Sequence, residues 1–209
     1  MKGLLLKDFY MVIKYYRSYL LIAVTFAVVS FFNASNLFFV FYPCLIGGMI
    51  PANLLAYDES SRWLLYSGTL PITRRQFVSA KYLIGLGAQL AMMVLISAAQ
   101  IARMLREGSF YPGEFLVMLM IIVVISTVSS SISLPFMFRW GVERGRAVYY
   151  VMVGMICAGG VIGAKLMPTL QTAEVQVNGV LIGLCMGGIV LYAASWLLSI
   201  RFFEKRELG

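Results

Sequence analysis

The sequence predicts an all-α integral membrane protein. It has six transmembrane helices, an amphipathic interfacial helix at the N-terminus, and a short cytoplasmic helix between spans two and three. Three observations predict this. Hydrophobic residues make up 61% of the 209 and charged residues 12%, with a mean hydropathy of +0.86, whereas soluble domains run at roughly 45–50% and 25%. Six apolar runs without interior charge lie at about 18–33, 36–56, 80–101, 115–138, 147–166 and 178–200. Each approximates the ~20 residues that cross a hydrocarbon core. Finally, of 17 lysines and arginines only Arg103, Arg106 and Lys165 fall on one side of these spans. The rest fall on the other, which is a strong positive-inside signal placing both termini in the cytoplasm.

Residues 1–17 precede the first run. Leu5, Phe9, Val12, Ile13 and Tyr16 recur at helical spacing, with Lys7, Lys14 and Arg17 on another face. This pattern favours an interfacial helix with its apolar face in the headgroup boundary over a plain extension of the first span. Lys7 and Asp8 break the apolar run, and no small-residue cleavage site follows, so a cleavable signal is not expected. Asn33 to Asn36 form a turn. Pro43, Gly47, Gly48 and Pro51 punctuate the second span, either as a hinge or as tolerated kinks.

From Asp58 the composition changes abruptly. The stretch DESSRWLLYSGTLPITRRQFVSAKYL (58–83) follows forty residues, Ser18 to Tyr57, without a charge. Ser60 or Ser61 can cap a short helix with Asp58 and Glu59 near its positive end. Trp63 and Tyr66 would share its face, Gly68 would stop it, and Pro71 would prevent continuation. Thr73-Arg74-Arg75-Gln76 fits a capping box opening the third span. Such a helix either rests on headgroups or docks on another protein, and the residues alone leave both open.

In the fourth span Ser126, Ser130 and Ser133 align on one face, and Pro135 follows. Their hydroxyls can bond neighbouring helices and freed carbonyls, or line a transport path. Gly159 and Gly163 in the fifth span, and Gly179, Gly183 and Gly187 in the sixth, repeat every four residues. That spacing permits close helix packing, within one chain or across a dimer seam.

Several classes drop out. There is no histidine, which removes the commonest general base and metal ligand. Cys44, Cys157 and Cys185 lie in apolar runs without metal-ligand spacing. GGVIGAKL (159–166) lacks phosphate-loop spacing. No nucleic-acid reading motif accompanies the net charge of +8, which instead suits topology and contacts to membrane lipids.

The 58–83 segment resembles the first cytoplasmic loop of type-2 ATP-binding-cassette (ABC) exporter permeases. The resemblance rests on Asp58, Glu59, Ser60, Trp63, Leu70, Pro71, Ile72, Thr73, Arg74, Lys81 and Tyr82. MKGLLLKDFYMV is similar to that family's N-terminal elbow, and six spans with both ends inside agree over the whole chain. Arg62-Trp63-Leu64 departs from it, since relatives often carry an acid beside the aromatic. The resemblance implies one permease domain over 1–209, paired with a second permease subunit, identical or different. It also implies a separate cytoplasmic ABC ATPase that carries ATP and Mg, so this chain binds no cofactor, holds no metal and has no catalytic site. The short helix would be a coupling helix, with Asp58, Glu59, Arg62, Trp63, Tyr66, Pro71, Arg74 and Arg75 facing the ATPase. The dimer seam would lie around spans one and five, favouring Gly159 and Gly163. Small size and a separate ATPase are similar to bacterial permeases exporting phenol-soluble-modulin toxin peptides from the plasma membrane. The rival reading is an ATPase-independent scaffold or small channel.

The topology is open to direct measurement. Reporter fusions placed after Glu107 and after Glu174 should read as external, and a cytoplasmic reading at either would break the six-span assignment.

Overall fold

The structure, a computed structural model, describes residues 2–15, 17–32, 38–63, 66, 72–108, 112–170 and 177–205; most side chains between 156 and 181 lie outside that description. The helices are α1 (Lys2–Tyr15), α2 (Arg17–Phe32), α3 (Phe38–Ser60), α4 (Arg74–Glu107), α5 (Pro112–Trp140), α6 (Val142–Leu170) and α7 (Val177–Lys205). Among the described residues there is no strand.

Four helices, α3, α4, α5 and α7, are long and apolar enough to cross a membrane, or five if α1 and α2, bent by 66°, count as one broken span. This is a multi-pass membrane protein. The predicted spans 80–101, 115–138, 147–166 and 178–200 each fall inside one helix that overruns them, while 18–33 and 36–56 lie in α2 and α3 except for residues 33, 36 and 37, which are outside the described residues. α4 has 34 residues, about 51 Å at 1.5 Å per residue, against a hydrocarbon core of ~30 Å. Its ends show why. Thr73 is extended (φ −78°, ψ 148°) and its hydroxyl accepts from Gln76 N–H, while the Gln76 side chain accepts from Thr73 N–H. The expected capping box is formed. At the other end Gly108 takes the left-handed conformation (φ 67°) and donates back to Leu105 O.

α5 lies at the centre, against α7, α6 and α3, and α3 packs in turn on α4 and α2. One core cluster joins Leu4, Leu55, Phe77, Val78, Leu134, Phe138, Val142 and Phe203, and so binds six helices at one end of the bundle. Val40, Cys44, Ile96 and Ile122 form another. Hydroxyls tie α4 to α7: Tyr82 Oη lies 2.8 Å from Ser195 Oγ and 2.7 Å from Ser199 Oγ, and Tyr192 Oη donates to Tyr82 O.

α1 seats one stripe on the bundle and leaves Phe9 and Ile13 of its apolar face outside it. Leu4, Asp8 and Met11 are buried, whereas Phe9, Tyr10 and Ile13 are about half exposed. Apolar periodicity counts Asp8 as an outward residue. Here it points inward because cations wait for it there.

The prolines and glycines of α3 serve packing. α3 runs on through Pro43 and Pro51. The Pro51 ring sits where a Cβ on Gly85 would come within 3.0 Å, and a Cβ on Gly47 would meet Met92 Cγ at 3.1 Å. At the α5–α6 turn, Gly141 (φ 86°) reverses the chain and Gly145 lies against Met137.

Two substitutions separate packed from open glycines. A Cβ at Gly145 would lie 2.8 Å from Met137 Cα, so Gly145→Ala should cost about 1–3 kcal/mol as overpacking. Gly187 has no atom within 4 Å of its would-be Cβ, so Gly187→Ala should stay within about 0.5 kcal/mol of the parent. Thermal unfolding of both in detergent checks the contrast.

Candidate functional site

The candidate site grows from the last turn of α3. Asp58 and Glu59 belong to this helix rather than to the start of a new one. Ser60 and Ser61 finish α3 instead of capping its successor: Ser60 Oγ donates to Tyr57 O at 3.0 Å and Ser61 Oγ to Asp58 O at 3.5 Å. Arg62 then adopts φ 54°, uncommon for a residue with a Cβ, and so turns the chain sharply. Trp63 and Tyr66 are helical beyond the break, with Tyr66 N–H bonded to Arg62 O. Gly68 and Pro71 lie outside the described residues.

Carboxylates at a helix C-terminus oppose the helix dipole, so both acids need partners elsewhere. Glu59 Oε2 accepts from Val142 N–H at 3.0 Å, at the start of α6. Asp58, fully buried, is held by two lysines. Lys7 Nζ donates to its Oδ1 at 2.5 Å, and Lys81 Nζ lies 2.6 Å from its Oδ2. Lys81 also donates to Asp8 Oδ1 at 2.8 Å, and Lys7 lies 3.7 Å from the same oxygen. Asp8, Asp58 and Lys81 are at most 1% exposed. Two ammonium groups and two carboxylates thus form a neutral buried cluster joining α1, α3 and α4. Burial pulls the Lys7 pKa below the usual lysine value, opposed by its bond to Asp58.

The aromatics divide. Trp63 is half buried against the core cluster that includes Leu4 and Phe77. Lys7 Nζ lies 4.2 Å from the Trp63 ring centroid, and Trp63 Nε1 finds no hydrogen-bond partner among the described residues. Tyr66 packs on Trp63 at 5.3 Å and is 57% exposed. The arginines divide too. Arg74 Nη1 donates to Phe203 O and Glu204 O at the end of α7, and Arg75 Nε pairs with Glu204 Oε1 at 2.8 Å. Arg62 is exposed. The structure therefore draws Asp58, Glu59, Trp63, Arg74 and Arg75 into contact with neighbouring helices, and presents Arg62 and Tyr66 outward.

The other sequence candidates also find places. Ser126, Ser130 and Ser133 are buried. Ser126 Oγ donates to Val123 O and Ser133 Oγ to Ser129 O, while Gln89 Nε2 from α4 donates to Ser130 Oγ and Ser126 O. Of the three hydroxyls, Ser130 bonds a neighbouring helix, while those of Ser126 and Ser133 bond carbonyls of α5 itself. Gly159 and Gly163 lie in α6, where their surroundings fall outside the description. A Cβ at Gly183 or Gly187 would meet nothing within 4 Å among the described residues, whereas one at their neighbour Gly188 would meet Thr127 Oγ1 of α5 at 2.6 Å.

Sequence reasoning passed over Asp8, and counted Lys7 and Lys81 as topology signals. One clue was available: Asp8 stands four residues from Leu4 and three from Met11, inside a basic helix of a chain with nine acids.

A family profile described as ABC-2 family transporter protein matches residues 3–204. The chain belongs to the ABC-2 transporter family. Comparison with curated proteins and with solved structures gives no match. The ABC-2 match covers the charge cluster, the break at Arg62 and, but for one residue at either end, the seven helices of the described residues.

The cluster's energetics are testable. Removing one member of a buried ion pair costs about 3–5 kcal/mol, because it strands a charge, whereas replacing the pair by apolar residues is often close to neutral. Lys81→Met should lower unfolding stability by an amount of that order. Lys81→Met combined with Asp8→Leu should recover a large part of it, a coupling that a double-mutant cycle reads directly.

Proposed function

We propose that this chain is the permease subunit of an ABC exporter driven by a separate ATPase. Two permease chains, identical or different, would assemble with two cytoplasmic ABC ATPase subunits in a bacterial plasma membrane. Both permease termini would face the cytoplasm, and six spans would cross the bilayer. ATP and Mg would stay on the ATPases, and the permease would carry no catalytic site of its own. Family membership supports the class. The basic asymmetry supports the orientation, because α1, the end of α3, the start of α4, the α5–α6 turn and the end of α7 meet at one end of the bundle.

One observation carries the mechanism. The segment at Arg62–Tyr66 leaves α3 through a sharp break, and the helix turn behind that break is pinned to α1 and α4 by the buried charges. Closure of the ATPases would push on this segment. The cluster would pass the displacement to α1, α3 and α4 together instead of letting the segment swing loosely. Arg62 and Tyr66 would touch the ATPase. Asp8, Asp58, Lys7 and Lys81 would act behind them as positioning residues, and Trp63 would brace the segment against α1.

Cargo follows from the spans. No predicted span carries an interior charge, so the path suits amphipathic or hydrophobic molecules, peptides above all, better than small ions. ATPase activity of the reconstituted complex should rise with amphipathic peptides; stimulation only by small polar solutes would oppose this cargo class.

The docking assignment predicts that Tyr66→Ala weakens ATPase association. Truncating an aromatic anchor at a docking site often costs ~2 kcal/mol, roughly thirtyfold in affinity. Arg62→Ala should cost less and lose its effect at high salt. Both variants should keep the parent's expression and unfolding temperature. Trp63→Ala should lower stability as well, since its ring packs on the core. Unchanged ATPase capture and unchanged export in Tyr66→Ala would overturn the assignment.

A further inference from the structure

α6 is held to the bundle in a way of its own. Among the described residues it contributes only Val142 to the core clusters. Its seam with α3 is largely polar. Three hydrogen bonds cross that seam in antiparallel order. Tyr149 Oη donates to Leu45 O at 2.8 Å, Arg146 Nη2 to Asn53 Oδ1 at 3.2 Å, and Val142 N–H to Glu59 Oε2 at 3.0 Å.

The three rungs differ in setting. Tyr149 is 3% exposed, so its bond lies in the dry part of the seam. The other two are only partly buried and flank a cavity of about 820 Å³. Residues 53–60 of α3 and 140–146 at the α5–α6 turn supply its walls. A bond beside water is exchanged for bonds to water at little net cost. A polar group in dry surroundings has no such substitute.

A stiff unit stands on each side of the cavity. On one side the charge cluster ties the end of α3 to α1 and α4. On the other, α5 and α6 approach so closely that a Cβ on Gly145 would stand 2.8 Å from Met137 Cα. Between the Tyr149 rung and the two outer rungs, α3 passes through Pro51. Proline has no N–H to give to Gly47 O, so the helix lacks a bond there and can flex.

We propose that the α3–α6 seam is a latch that opens from its cytoplasmic end, with Glu59 and Arg146 as releasable rungs and Tyr149 as the pivot. The cavity is the room for that stroke. It lets the end of α3 move with the charge cluster while the α5–α6 pair stays intact. Glu59 and Arg146 are thus positioning residues for α6. The trigger, ATPase closure, rests on the proposed export reading; the latch itself does not.

The test uses spin labels at Ser61 and Ala147 of the full-length chain in lipid nanodiscs. Both sites are exposed and neither lines the cavity. A second pair, Leu116 and Ala147, reads the α5–α6 unit. Glu59→Ala should raise the ratio of long to short Ser61–Ala147 distances about tenfold, the weight of one hydrogen bond to a charged group. Adding Arg146→Met should raise it further. Glu59→Gln keeps an acceptor oxygen for Val142 N–H and should restore most of the parent distribution. The Leu116–Ala147 distance should stay fixed throughout. In a complex with the ATPase, ATP should lengthen the Ser61–Ala147 distance of the parent chain. A parent-like distribution in the folded double variant would overturn the latch, as would an equal shift in the Leu116–Ala147 pair. So would an unchanged Ser61–Ala147 distance in a complex that hydrolyses ATP. If the chain captures no ATPase, the export reading falls and the nanodisc distances alone decide the latch.

Discussion

A carboxylate buried at the end of a membrane bundle stays charged only beside cations that share its burial. That constraint organises this protein. Asp58 ends α3 where the helix dipole disfavours it, and it has no exposure to water. Lys81, about two turns into α4, and Lys7, on α1, supply the compensation. Lys81 would then be left with excess charge near Lys7, and Asp8 on α1 balances the set. α3 and α4 thus neutralise each other's buried charge, and α1 adds a cation paired to α3 and an acid paired to α4. The amphipathic first helix is consequently seated by its acid, with Leu4 and Met11 packed on either side, and its apolar residues Phe9, Tyr10 and Ile13 are left to the surroundings.

The same end of the bundle collects the other polar closures. Glu59 reaches the first N–H of α6, Arg74 binds the last carbonyls of α7, and Arg75 pairs with Glu204. Farther along the bundle, the polar contacts are short hydroxyl and amide bonds between helices, such as Gln89 to Ser130 and Gln100 to Ser30. Charge is thus concentrated where force would enter, and neutral hydrogen bonds hold the spans. In a medium without competing water, such bonds fix helix pairs without the desolvation cost of ions.

Much of this was legible in the sequence. Apolar runs located the helices, because a lipid core leaves the chain few alternatives to helix. The Thr73 capping box was legible because its chemistry is local: hydroxyl, amide and backbone lie within four residues. The ends of α3 were not. Ser60 and Ser61 suit either the close of one helix or the opening of the next, and the choice depends on lysines 51 and 23 positions from Asp58. Asp8 was illegible for a related reason: periodicity ranks a carboxylate as outward unless its partners are known. The glycine against α5 is Gly188, one residue outside the repeat of α7, because a four-residue spacing alone does not say which neighbour each glycine meets. The resemblance implied Trp63 toward the ATPase; its ring is half buried against the core cluster, with Lys7 Nζ of α1 4.2 Å from its centroid, a contact that residue type alone does not reveal.

The central claim is that the charge cluster makes α1, the end of α3 and the start of α4 one rigid body that moves when the ATPase closes. Electron–electron spin distances on the assembled transporter test it most directly. Labels at Gly3, which has open space around it, and at Ser61, exposed at the end of α3, would report on the body itself. A label on α7 paired with Gly3 would report on its displacement relative to the rest of the bundle. The account predicts that ATP binding leaves the Gly3–Ser61 distance unchanged and narrow, and that Asp58→Asn broadens it. A Gly3–Ser61 distance that shifts with ATP while the four charges are intact would contradict the account.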